Sequence, residues 1–198
     1  MMKLLRPDAP QWLTENSVKW GQAYQKKLTV GNTAFSWAQH QGENVRDRLL
    51  PLLREMTRNH CSFCDGFPIE SLLGETIEHF KPKSQFPLES YAWGNLFLCC
   101  HICQKKGDEF SQLLLKPDER EYEFDRYFEF DPETGQLAPN RYNQNPNDQE
   151  RAQVTITLYR LNDFNRPRAR KLELKKFAAN ADDGLSVDDF SYRFIQFS

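Results

Sequence analysis

Between Cys61 and Gln104 the sequence runs CSFCDGFPIESLLGETIEHFKPKSQFPLESYAWGNLFLCCHICQ, and this stretch decides the fold. Two CxxC pairs, Cys61/Cys64 and Cys100/Cys103, open and close it. Thiolates at that spacing close a tetrahedral zinc site from two knuckles, and zinc then replaces a large apolar core across a small unit. Asp65 and Gly66 after Cys64 permit the tight turn a knuckle needs. Buried unligated thiols or a redox pair are the alternatives, and neither readily explains two matched pairs around one segment. Cys99 falls at an inward strand position and is read as core, outside the metal site.

Between the knuckles, Glu75 to Phe80 has the pattern of a short strand broken by Pro82. Leu96 to Cys100 reads as a second strand ending at the second knuckle, with a short helix after Cys103. The unit is thus a β-β-α arrangement with Glu78 and His79 at a strand end. Successive strand residues point to opposite faces, so both side chains serve one site only if the strand ends or twists there, as Pro82 allows.

Glu78-His79-Phe80-Lys81-Pro82-Lys83-Ser84, Trp93-Gly94-Asn95-Leu96 and Gln104-Lys105-Lys106-Gly107 together resemble the HNH endonuclease family. There an acidic residue or histidine precedes a histidine, an asparagine lies between the knuckles, and an asparagine or histidine follows the second CxxC. The resemblance covers roughly Cys61 to Phe110 and places these roles on Glu78, His79, Asn95 and Gln104. It implies an α+β fold with a ββα-metal (HNH, His-Me finger) core, a four-cysteine zinc site and surrounding helices. His79 would take the proton of an attacking water, since a neutral imidazole is a suitable base near neutral pH. Glu78 and Gln104 would hold a hard catalytic cation, Mg2+ or Mn2+, beside the leaving oxygen. Asn95 would hold the connecting loop and help orient His79. Gln104 departs from the family, carrying its amide oxygen one methylene farther out than asparagine. His101, inside the second knuckle, could contribute or be an exposed knuckle residue. Lys81, Lys83, Lys105 and Lys106 border the expected cleft and are candidate phosphate contacts, against a solvated face as the plain reading.

Leu4-Leu5-Arg6-Pro7-Asp8-Ala9-Pro10, the Glu78 to Ser84 segment and the Asn162-centred stretch before a basic helix are similar to the HNH subunits of Septu-type and some retron-linked antiphage systems. Such subunits work with an ABC-type ATPase of the PtuA kind, and in retron systems also with a reverse transcriptase and its RNA-DNA product. The resemblance implies metal-dependent hydrolysis of DNA or RNA under a partner's control. Two alternatives stay open: a catalytically silent zinc module that binds nucleic acid or a partner, and a free-standing restriction-type HNH nuclease.

The rest of the chain bounds these readings. The 198 residues suit one catalytic core with helical additions: a helical region at 1–60, the zinc-framed core at 61–112, and a hairpin and basic helix packed on it at 113–198. A charged fraction of 27% and an aromatic content of 13% are those of a folded globular protein. Net charge of −2 gives no global pull toward nucleic acid, so binding must be local or shared with a partner. No stretch is apolar enough to span a bilayer, and Met1 to Arg6 lacks a secretory apolar segment, which points to the cytoplasm and no membrane partner.

Trp12, Val18, Trp20, Ala23 and Tyr24 suggest an early helix; Val45, Leu49, Leu52, Leu53 and Met56 suggest a second, which Pro51 kinks or splits. Tyr127 to Asp131 and Gln136 to Ala138 read as a hairpin. Val154, Ile156 and Leu158 alternate as in a strand, whereas Asp148 to Gln153 favours a helix start. Asn162 or Asp163 could cap a last helix whose Arg166, Arg168, Arg170, Lys171, Lys175 and Lys176 form either a second basic patch or a plain solvated face. Gly184 with its neighbouring aspartates suggests a loop. Phe190 to Phe197 is a strand or a docking tail, and Trp12 and Trp20 are either docking residues or core.

Overall fold

Helix α1 (Gln11–Thr29) buries Leu13, Gly21 and Tyr24 and turns Val18 outward. The computed structural model describes residues 1–180 and 184–196. After α1, strands β1 (Gln39–His40) and β2 (Glu43–Asn44) pair antiparallel around Gln41 and Gly42, both with positive φ. Asn44 then caps helix α2 (Val45–Thr57), its side chain accepting from the Arg46 amide at 2.9 Å. The helix is not split at Pro51. The proline sits on its exposed side, while Leu49, Leu50 and Leu53 bury the opposite face and offset the missing hydrogen bond.

Strands β3 (Glu75–His79) and β4 (Leu96–Cys100) pair antiparallel as their pattern requires, with Glu78 opposite Phe97 and His79 opposite Leu96. Every residue of β4 is buried, because α2 packs on the strand and the cysteine cluster closes its end. The helix expected after Cys103 is a single 3₁₀ turn, Cys103–Lys106.

Short helix α3 (Phe124–Tyr127) leads into the hairpin of β5 (Phe128–Phe130) and β6 (Leu137–Pro139). The ambiguous segment is helical: α4 (Pro146–Leu158) starts at Asn145, whose side chain accepts from the Asn147 amide. Thr155 and Thr157 return their hydroxyls to the carbonyls of Arg151 and Gln153, so the alternating threonines sit in a helix without an unmet donor. Helix α5 (Arg166–Ala179) begins at Asn165, not at Asn162 or Asp163. Asn162 is spent elsewhere, bridging both backbone groups of Leu137 at 2.9 and 2.7 Å.

The hairpin turn lies so close to α5 that a Cβ on Gly135 would sit 2.0 Å from the Pro167 carbonyl oxygen. Only glycine fits there. Past α5, Val187–Asp189 and Arg193–Gln196 are 3₁₀ turns, and Phe190, Phe194 and Ile195 are buried. The aromatic end is therefore core as far as Gln196; Phe197 lies outside the described residues, as do Asp182 and Asp183 of the aspartate-rich loop. Among the described residues, no helix is long and apolar enough to cross a membrane. The described residues thus combine helices and three two-stranded sheets with a buried four-cysteine cluster that could hold zinc.

Candidate active site and metal centre

The sulfur atoms of Cys61, Cys64, Cys100 and Cys103 all lie within 4.8 Å of one another, and Cys64 and Cys100 are 3.7 Å apart. Tetrahedral zinc with bonds of about 2.3 Å places its sulfurs roughly 3.8 Å apart, so the cage has the right size. The first knuckle closes through Cys61 N–H to Gly66 O at 3.0 Å, with Asp65 in the left-handed region. Arg193 locks it from the C-terminal segment: its backbone amide and guanidinium both reach the Asp65 carboxylate, at 2.7 and 2.6 Å. Cys99 stands outside the cluster, buried in the core. Burial pushes the thiols of Cys61 and Cys103 up, whereas hydrogen bonding, first from Cys100, pulls Cys64 down. The bare cage therefore favours one thiolate, and a divalent ion would be needed to ionise all four.

Arg166, read from sequence as part of a basic helix, is buried instead. Its Nη2 donates to the sulfurs of Cys100 at 3.4 Å and Cys103 at 3.1 Å, and its Nη1 to the carbonyl of Tyr159 at 3.0 Å. A zinc ion with four thiolates carries a net charge of −2, which a buried guanidinium partly offsets. Arg170 is also buried and ties α5 to the β5–β6 hairpin through the Gly135 carbonyl at 2.9 Å. A residue count cannot reveal which basic side chains turn inward.

At the other end of β3, Glu78 and His79 are 1% and 5% exposed. His79 Nε2 donates to the Ser90 carbonyl at 2.9 Å, and its Nδ1 has no hydrogen-bond partner among the described residues. The ring is stacked on Trp37, centroids 5.4 Å apart, and edge-on to Phe35 at 5.3 Å. Burial first, then the positive charge of Lys83, lowers the His79 pKa to about 3, so the imidazole is neutral at physiological pH.

Asn95 fastens the loop that carries Ser90. Its Oδ1 accepts from the Lys81 amide at 2.7 Å, and its Nδ2 donates to the carbonyls of Lys81 and Glu89, both at 3.1 Å. The N-terminal Leu4–Pro10 stretch braces the same element. Arg6 donates to the carbonyls of Trp93 and Leu96, and Trp93 donates to that of Pro7.

Glu78 meets two side chains. Gln104 Nε2 donates to its Oε2 at 2.6 Å, and Lys106 Nζ lies 2.9 Å from its Oε1, off the line of a hydrogen bond. Burial raises the Glu78 pKa to about 7 against the opposing charge of Lys106. Two sequence expectations change here. Lys106, expected at phosphate, is buried and engaged with Glu78 and with the carbonyls of Gly107 and Glu109. Gln104, expected to offer an oxygen to a cation, turns its nitrogen to Glu78, while its oxygen accepts from the Thr76 hydroxyl.

Lys81 is ion-paired with Glu89 at 2.8 Å, Lys83 lies over Phe35, and Lys105 is exposed over Phe164. His101 is an exposed knuckle residue bonded to the Leu73 carbonyl. Sequence reasoning missed Trp37, Phe35, Thr76 and Ser90, whose contacts depend on chain crossings that no local signal encodes.

No protein-family model matches the chain. Among curated proteins, it is similar to the Septu protein PtuB of Bacillus thuringiensis, 29% identical over 113 residues that make up 57% of this chain and 39% of that protein. It is also similar to the Septu protein PtuB of Bacillus mycoides (strain KBAB4), 26% identical over 97 residues, 42% of this chain and 31% of the relative. The chain spans less than two fifths of the length of either relative. Weakly but consistently, over about half its length, it resembles PtuB.

Proposed function

We propose that this chain is the nuclease component of a Septu-type defence system, hydrolysing nucleic-acid phosphodiester bonds through an HNH-like centre at the end of β3. The observation that carries the proposal is the fixed state of His79. With Nε2 engaged by a carbonyl that can only accept, the proton is on Nε2 and the lone pair is on Nδ1. A neutral ring of defined tautomer, walled at a fixed angle, is the starting state of a general base, and the anionic phosphate would raise its basicity from the low value that burial sets. The resemblance to PtuB supports the same reading and adds control by a PtuA-like ABC-type ATPase.

Glu78 Oε1 is buried and faces the Lys106 ammonium at 2.9 Å, a place that a hard cation could take. Mg2+ or Mn2+ would be held through that oxygen, with the phosphate and water completing the set, and would supply charge stabilisation of the leaving oxygen. Gln104 in its observed orientation steadies Glu78 through its nitrogen, and turning its amide would offer the oxygen to the cation. Lys106 would yield its place beside Oε1 and remain a positive charge near the phosphate. Structural zinc at the four cysteines would keep β3 and β4 in register.

The contacts of Gln104 and Lys106 with Glu78 also favour a second reading, a silent zinc module, because they engage both carboxylate oxygens with the chain's own side chains. Incubating the chain with its ATPase partner, plasmid DNA and total RNA, with and without Mg2+ or Mn2+, separates the two. Metal-dependent new ends that vanish in Glu78→Gln support the nuclease; bound but intact nucleic acid in every lane supports the silent module.

A further inference from the structure

Phe164 lies in the turn between α4 and α5, 61% exposed, with φ of +57°. That backbone region is uncommon for a bulky residue, and here it holds a bare aromatic ring in solvent. The ring divides two clefts. One, of about 460 Å³, is lined by Phe164, Pro167, Arg168, Lys171, Leu172 and Lys175. The other, of about 380 Å³, is lined by Phe164 with His101, Lys105 and Tyr192.

Lys105 Nζ sits 5.1 Å from the Phe164 ring centre. Arg168, Lys171 and Lys175 form no ion pair among the described residues, although Lys171 helps to hold the Asp131 carboxyl down, after the hydrogen bond from Thr134. In a chain of net charge −2, Lys105, Arg168, Lys171 and Lys175 place four cations around one exposed ring.

We infer that this surface is a track for an unpaired nucleic-acid strand, with Phe164 as the platform on which a base stacks and Lys105, Arg168, Lys171 and Lys175 as its phosphate contacts. It rests on the nuclease reading for its purpose and deepens it by naming a single strand as the substrate class. Stacking on an aromatic face needs a base out of its duplex, and flanking cations that follow the backbone complete the usual chemistry of strand binding. Lys105, whose Nζ lies over Phe164, is the chain neighbour of Gln104, which donates to Glu78. A protein partner would leave these cations to meet carboxylates and would not need the ring held out alone.

The test uses the full chain and fluorescein-labelled DNA and RNA strands of about 12 nucleotides, with the matching duplexes, in anisotropy titrations at several salt concentrations. Phe164→Ala is expected to weaken single-strand binding on the order of tenfold while changing duplex binding little, and Phe164→Trp to restore it. R168E/K171E/K175E is expected to weaken binding and flatten the salt dependence by about two log units of slope. Comparing the DNA and RNA arms identifies the natural strand. Unchanged single-strand affinity in a folded Phe164→Ala, equal loss on duplex, or no binding by the wild-type chain overturns the inference, the last pointing to a protein-docking face.

Cleavage by His79→Ala is followed in parallel. Loss of cleavage in His79→Ala with intact Phe164→Ala binding sinks the track and keeps the nuclease. Full cleavage by His79→Ala with impaired Phe164→Ala binding does the reverse.

Discussion

His79 is held by Ser90: the imidazole Nε2 and the Ser90 carbonyl oxygen are 2.9 Å apart across the loop that joins β3 to β4. This one contact links the fold to the chemistry. It sets the tautomer of the proposed base, and everything that places the Ser90 carbonyl thereby places the base.

The buried neutral state of His79 has a consequence for stability. Its pKa falls from an unfolded value near 6.5 to about 3 in the folded chain, so between those limits the unfolded state binds the extra proton. Stability from this group is complete above pH 6.5 and is lost as pH falls toward 3. Chemical denaturation of wild type and His79→Gln from pH 7.5 to 4 is expected to show a shallower acid loss in the variant, by a few kcal/mol at most. Parallel pH profiles would show that His79 is not buried in its neutral form.

Gly21 on α1 sets the loop from below. A Cβ there would lie 2.7 Å from the backbone oxygen of Leu88, two residues before Ser90, and backbone cannot move aside as a side chain can. Gly21→Ala is expected to cost about 1–3 kcal/mol in urea denaturation and to lower cleavage beyond what the lost folded fraction explains. A variant as stable and as active as wild type would show that the loop has slack.

Asn95 should behave as a positioning residue. Asn95→Ala strands the Lys81 amide and two carbonyls, at a cost of roughly 1–3 kcal/mol for each group that stays buried. Cleavage should fall while zinc content stays the same, with a larger effect on kcat than on KM. Asn95→Asp, which keeps the acceptor and loses the donors, is expected to fall between.

The cysteine cage predicts one zinc per chain by elemental analysis, retained in Cys99→Ser and lost in Cys100→Ala. Arg166→Gln should leave the stoichiometry unchanged and weaken zinc roughly 10–100-fold in chelator competition, since Arg166 donates to two of the sulfurs. Equal zinc affinity in that variant would assign Arg166 to packing alone.

The readable parts of this protein were those written in short-range pattern. Two CxxC pairs marked the cage, and the segments Glu75 to Phe80 and Leu96 to Cys100 marked the two strands, whose register (Glu78 opposite Phe97) came only with the structure. Asn95 came from the family resemblance and from no local pattern; its side chain bridges Lys81 and Glu89. Long-range choices were not legible. Lys106 and Arg166 look like surface cations in any window of sequence, and only the fold decides that each turns inward to a carboxylate or to sulfur. The Gln104 amide likewise turns according to Thr76 and Glu78, partners 28 and 26 residues away. Val154 to Leu158 stayed ambiguous by alternation because threonine can repay its hydroxyl inside a helix.

The central claim is that the His79 imidazole activates the attacking water. Single-turnover cleavage of labelled nucleic acid by the chain assembled with the proposed ATPase partner, comparing wild type with a folded, zinc-loaded His79→Ala, measures it directly. Removal of the general base predicts a rate loss of about 10²–10⁴-fold with substrate affinity unchanged. A His79→Ala rate within a few-fold of wild type would contradict the account.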